Sequence, residues 1–213
     1  IDIDHDAIVV LLEGARTWTP ALQPGMFAGD AQAIDSLLTA ERLLRQRAAG
    51  SHSEFLAVAL GVETERTPLA SRVTEFLPLL SAAWRAAHAR DTFDAIARVI
   101  GLGPGLTPAG DDFVIGWLAG MALSARSEPQ ARFLHAVCAD LAGLRAATTP
   151  VSWQHLDDAR MLLFSERLSD LGVALARCAP TATLSACIEA QLAVGATSGA
   201  DAAAGLIAAL RVS

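Results

Sequence analysis

The chain has 213 residues, 53% of them hydrophobic, a formal net charge of −7 and a mean hydropathy of +0.39. Its acidic balance and the absence of any basic stripe exclude a nucleic-acid surface. No uninterrupted apolar stretch approaches the roughly 18 residues of a membrane span, so the apolar excess belongs to a core or a subunit interface.

In chain order, residues 1–13 alternate and then run apolar with β-branched side chains, which predicts a strand. Asp2, Asp4, His5 and Asp6 read as a solvated charge run rather than a metal site. Ile1 in place of Met, with no signal-peptide pattern after it, points to a trimmed or partly disordered N-terminus, and the expected localisation is cytoplasmic. Residues 14–29 carry Pro20, Pro24 and Gly25 and read as irregular, with Trp18 plugging a core edge. The expected division is therefore 1–29 as an N-terminal β/irregular segment and 30–213 as a helical domain. Cys138, Cys178 and Cys187 lack ligand spacing and read as free thiols of a reducing compartment.

Helical periodicity then takes over. Asp30 caps a helix over 31–49, with Ile34, Leu37, Leu38, Leu43 and Leu44 expected inside. Ser53 heads a short helix over 54–60. A helix over 69–90 contains Pro78, and Asp91 caps the next, over 92–100. Beyond the centre, helices are expected over 130–147, 153–171, 173–178, 184–194 and 202–211, with Met161 and Leu163 on an inward stripe. The fold class is mainly α: a multi-helical single domain around a buried central helix at 112–123, with minor β at the N-terminus.

That central helix follows the densest motif in the chain, Gly101-Leu-Gly-Pro-Gly-Leu-Thr-Pro-Ala-Gly-Asp-Asp112. Four glycines and two prolines in twelve residues cannot be helix or strand, so the segment is a shaped loop. Asp111 or Asp112 then caps the helix. Glycine N–H groups and the Thr107 hydroxyl at its positive end suit an anion. The P-loop lysine is missing, and the chain contains no lysine. A late break echoes the motif: Gly110-Asp-Asp112-Phe-Val-Ile-Gly116 and Gly199-Ala-Asp201-Ala-Ala-Ala-Gly205 share G-x-D-x-x-x-G, each opening an apolar helix. Two such starts suggest two halves of one pocket. The substrate-binding candidates are Gly103, Gly105, Thr107, Gly110, Ser152, Thr197, Ser198 and Gly199. The catalytic candidates are Asp111, Asp112 and Asp201. Clustered aspartates repel an anion unless Mg²⁺ bridges them, which makes Asp111 and Asp112 the metal candidates and Mg²⁺ the one cofactor considered. Thr148, Thr149, Ser152 and His155 form a second polar break able to face the same pocket.

The string from Gly101 to Gly120 resembles the hallmark of a bacterial family long carried as a domain of unknown function. One branch of it is a subunit of the oxamate carbamoyltransferase of anaerobic allantoin breakdown. The family pattern is close to G-L-G-x-G-L-T-P-S-G-D-D, and here Ala109 stands in place of its serine. The late Gly195/Thr197-Ser-Gly199/Asp201 run is also similar, with Ala196 where the family has histidine. The resemblance covers roughly 15–210 and implies a β-rich segment upstream. It further implies transfer of a carbamoyl group between oxamate or oxalurate and phosphate, with partner enzyme subunits and a small anionic substrate (phosphate, carbamoyl phosphate or an oxo-acid). A homo-oligomer is compatible with the apolar excess. The alternative is a non-catalytic assembly subunit whose glycine motifs serve helix packing.

Overall fold

A computed structural model describes residues 2–4, 7–9, 13–14, 22–48, 52–63 and 67–212. His5, Asp6, Trp18 and the run 10–12 lie outside the described residues. Two three-residue strands, β1 (Asp2–Asp4) and β2 (Ala7–Val9), pair antiparallel with Ile3 opposite Ile8. Everything else regular among the described residues is helical. The elements are α1 (Ala31–Ala48), α2 (Glu54–Leu60), α3 (Pro68–Arg85), α4 (Ala89–Ile96), α5 (Ala109–Ser124), α6 (Glu128–Asp140), a 3-10 segment (Leu141–Ala147), α7 (Pro150–Arg160), α8 (Glu166–Ala176), α9 (Thr181–Leu192) and α10 (Ser198–Arg211). The mainly-α class expected from the sequence is the class observed.

Several boundaries move, for local reasons. The helix expected over 69–90 stops at Arg85, where Ala87 turns left-handed at φ 51°. Asp91 consequently sits inside the first turn of α4 and pairs with the capping residue, His88 Nδ1 to Asp91 Oδ2 at 3.0 Å. Pro78 stays inside α3 without ending it. The helix expected over 153–171 is two helices, divided at Leu162 (φ 60°). Met161 and Leu163 are exposed as a result, not inward. In α1 the buried stripe is Ala33, Leu37, Ala40 and Leu44, a 4-3-4 spacing; Ile34 and Leu38 face out. The segment just before α1 also belongs to the core. Leu22 and Phe27 are buried, and the N–H groups of Gly25 and Phe27 bond to the carbonyls of Ala122 and Leu123 at 2.9 Å.

The core is organised by α5 and α10, every residue of which is buried except Ile115, Ser198 and Arg211. The two helices run parallel and touch backbone to backbone. A Cβ on Gly116 would lie 1.8 Å from the Ala202 carbonyl, and one on Gly205 2.0 Å from the Phe113 carbonyl. Gly116 and Gly205 each stand four residues after an aspartate of the repeated motif; Phe113 and Ala202 each stand one after. The contact is therefore close to twofold, each motif's glycine meeting the other motif's helix. Further along, a Cβ on Gly120 would meet the Ala209 Cβ at 2.6 Å. Phe113 and Trp117 fill the space beside the crossing. Phe55 and Phe76 pack on Phe113 at ring separations of 5.0 and 5.6 Å.

Distances below 3 Å to backbone cannot be relieved by turning a side chain, so the helices must part. Gly116→Ala and Gly205→Ala should each destabilise the fold by about 3 kcal/mol or more. Gly143→Ala, where an added Cβ meets nothing within 4 Å, should change stability by less than about 0.5 kcal/mol. Denaturant melts of the three variants check this.

Candidate functional site

Parallel packing brings two helix N-termini to the same end of the molecule. The Thr107 and Ser198 hydroxyls, one from the residues preceding α5 and one from the first turn of α10, lie 3.0 Å apart. Asp112 sits beside them, and Asp201 lies one layer deeper, with its side chain fully buried. Ser53, the N-cap of α2, donates to Asp201 Oδ1 at 2.5 Å. Oδ2 of Asp112 and Oδ2 of Asp201 are both buried without a hydrogen-bond partner among the described residues.

Burial dominates the electrostatics of this pair. It pushes the Asp112 carboxyl up to about 6; the Ser198 hydroxyl opposes the rise, and the Asp111 charge adds to it. Burial pushes Asp201 further, to about 7, against the Ser53 and Thr197 hydroxyls and with help from the Asp112 charge. Both groups hold protons in the folded chain at pH values where a free carboxyl, near 3.8, has lost them.

Thr107, Asp112 and Ser198 line a cavity of about 810 Å³. Its other walls are apolar on one side, through Ile115, Leu163, Phe164, Leu168, Val194 and Ala202, and polar at His155, Asp158, Ser165 and Gln191. His155 is the sole basic side chain among the lining residues. Three helices therefore present their starts to this space, α5 and α10 through the hydroxyl pair and α8 through its N-cap Ser165.

The remaining sequence candidates have other surroundings. Asp111 does not cap α5, because the helix begins at Ala109 with Pro108 as its N-cap. Its carboxylate accepts from the Gly101 N–H at 2.6 Å, from the Ser152 hydroxyl at 2.6 Å and from the Thr148 hydroxyl. Asp111 and Ser152 thus tie the glycine loop and the start of α7 to α5. With both its oxygens engaged, Asp111 does not fit the magnesium bridge to Asp112 expected from the sequence. Among the described residues no three His, Cys, Asp or Glu side chains are grouped to hold a metal. Gly110 and Gly199 are packing positions, where a Cβ would lie 1.9 Å from the carbonyls of Val99 and Gln191. Gly103, at φ 116°, lets the loop fold against Ala109; Gly105 has nothing within 4 Å. Neither is among the cavity's lining residues. Thr197 acts on Asp201.

Gln191, Asp158, Ser165 and the bond from Ser53 to Asp201 are not marked in the sequence as parts of a site. Ser53 was legible as a cap and Ser165 had a cap's residue type. Nothing local marks Gln191, which is the penultimate residue of α9 and precedes the late glycine motif by a short loop.

A mainly-α fold with a largely apolar cavity that has polar groups at two parallel helix starts is the class that the fold and site define. The model of the family described as oxamate carbamoyltransferase subunit AllH matches residues 99–210, from the glycine loop to the end of α10, and the chain belongs to that family. No curated protein and no solved structure matches it. No described helix is long and apolar enough to cross a membrane.

Two measurements follow. Because the folded chain binds more protons than the unfolded chain between about pH 4 and pH 7, the Asp112 and Asp201 contribution is greatest below pH 4 and declines as pH rises through 6 and 7. Asp201→Asn should flatten that decline and be more stable than the parent at pH 8, as read by urea denaturation across pH 4–8. Asp111→Ala, which strands a buried N–H and two hydroxyls, should cost about 3 kcal/mol or more at all these pH values.

Proposed function

We propose that this chain is a substrate-binding subunit of a carbamoyltransferase-like enzyme and that it holds a small anion at the paired N-termini of α5 and α10. Phosphate, carbamoyl phosphate and a small oxo-acid are the candidate ligands. The observation that carries the reading is the unpartnered Asp112 Oδ2 beside the Thr107–Ser198 hydroxyl pair, on a cavity to which two parallel helix dipoles point their positive ends. A buried oxygen with no partner is costly, and a ligand at this position relieves the cost.

Two carboxyls and an anion are compatible where both are protonated, a condition that burial extends from the ordinary carboxyl range up to about pH 6 at Asp112 and about pH 7 at Asp201. A protonated Asp112 is a donor to a phosphate or carboxylate oxygen, alongside the Thr107 and Ser198 hydroxyls. Asp201, not itself in the cavity wall, positions the site and sets its proton inventory through Asp112. In carbamoyl transfer from an oxalurate-like donor, a phosphate oxygen bonds to the carbamoyl carbon while that carbon's bond to the departing amide nitrogen breaks. The nitrogen takes up a proton as it leaves. A carboxyl titrating near neutrality is suited to supply it. Asp112 is assigned that role, and partner subunits complete the enzyme.

The assembly reading has its own support, since Gly110, Gly116, Gly199 and Gly205 all stand where helix packing requires glycine. It accounts for the glycines and leaves Asp112 and Asp201 without a reason. Packing alone would be served better by an apolar side chain than by a buried carboxyl with an orphaned oxygen.

Thermal shift with phosphate, carbamoyl phosphate and oxamate tests the proposal. Ligand at about 100 Kd should stabilise the chain by about 2.7 kcal/mol, and Asp112→Ala should abolish the shift. Affinity should rise as pH falls from 8 to 6, because the anion binds the protonated site. No shift with any ligand, or one indifferent to Asp112→Ala, would favour the assembly reading.

A further inference from the structure

One residue that lines the cavity carries a second unsatisfied acceptor that the anion reading does not use. Gln191, at the end of α9, is 2% exposed and lines the same cavity as Asp112 and Ser198. Its Nε2 donates to the Gly199 carbonyl at 2.9 Å, which fixes the orientation of the amide, since the opposite flip would set two oxygens against each other. Oε1 is left buried with no hydrogen-bond partner among the described residues. Leaving such an acceptor unpaired is costly, and a methionine would fill the same volume without that cost.

We infer that Gln191 is a specificity-determining residue whose Oε1 accepts an N–H of a primary amide, so that the cavity selects a ligand carrying both an amide and an anionic end over its dicarboxylate counterpart. An amide oxygen has no proton to give, so Oε1 pairs with a donor and repels a carboxylate. Asp112 with Thr107 and Ser198 takes the anionic end, and Gln191 reads the other. The short path between them runs through α10: Gln191 holds Gly199, the residue next to Ser198, so the amide reader and the anion site share one backbone anchor. This inference rests on the binding site proposed above.

Its test uses the 213-residue chain and three probes that share an oxo-acid end: oxamate, N,N-dimethyloxamate, which has no amide N–H, and oxalate. The account expects oxamate to bind at least about tenfold more tightly than either of the others, by calorimetry at pH 6.5. Gln191→Met should erase the preference for oxamate over oxalate by weakening oxamate binding, with oxalate binding no weaker than in the parent. Equal binding of oxamate and oxalate by the parent, with both lost in Asp112→Ala, overturns the role of Gln191 and leaves the site intact. A preference that survives Gln191→Met also overturns it. Binding of none of the three, or binding indifferent to Asp112→Ala, overturns the site and the amide reading with it. Should Gln191→Met fail to fold, the comparison of oxamate with its dimethyl form in the parent decides: a ratio near one overturns the inference.

Discussion

Backbone contact between α5 and α10 is the constraint on which the rest of the structure depends. Two helices can lie this close only where glycine faces carbonyl, and here Gly116 meets Ala202 while Gly205 meets Phe113. The parallel direction of the pair costs something, because like ends of the helix dipoles are brought together. It also has a consequence that antiparallel packing would lack: both N-termini open at one place. Every polar element of the candidate site lies at that end or is tied to it. Ser53 comes from the cap of α2, Ser152 and Thr148 from the start of α7, and Gln191 from the end of α9.

Burial at this end then divides three neighbouring aspartates into different roles. Asp111 has its hydrogen bonds filled by a backbone N–H and two hydroxyls and acts as a clamp on the glycine loop. Asp112 and Asp201 each keep an oxygen without a partner among the described residues, and both are pushed well above an ordinary carboxyl. Hydroxyls face both groups, Thr107 and Ser198 at Asp112 and Ser53 and Thr197 at Asp201, and of the two only Asp112 lines the cavity. The glycines of the motif are explained by packing and its second aspartate is not. The proposed site rests on that difference.

Much of this was legible in the sequence because it was written in composition and local spacing. The glycine and proline density of 101–110 required a loop, and the apolar run after it required burial. The echo between Gly110-x-Asp112 and Gly199-x-Asp201 correctly paired two helix starts, because a contact close to twofold uses the same residue types on both sides. Less legible were features decided by distant partners. No local signal distinguishes Asp111 from Asp112, since only the arrival of Thr148 and Ser152 occupies the first. Gln191 looks like any polar residue near a helix end until Gly199 closes against it. Met161 and Leu163 fit an inward helical stripe, but the chain turns left-handed at Leu162 and puts them outside.

The central claim is that two helix starts hold one coupled pair of buried carboxyls open to a ligand. Carboxyl ¹³C NMR across pH 3–9, with Asp112 and Asp201 assigned from their asparagine variants, tests it most directly. The account predicts two carboxyl resonances titrating near 6 and 7, each altered by loss of the other and both displaced when oxamate or phosphate is added. Independent titration of both groups near pH 4, unaffected by any ligand, would contradict it.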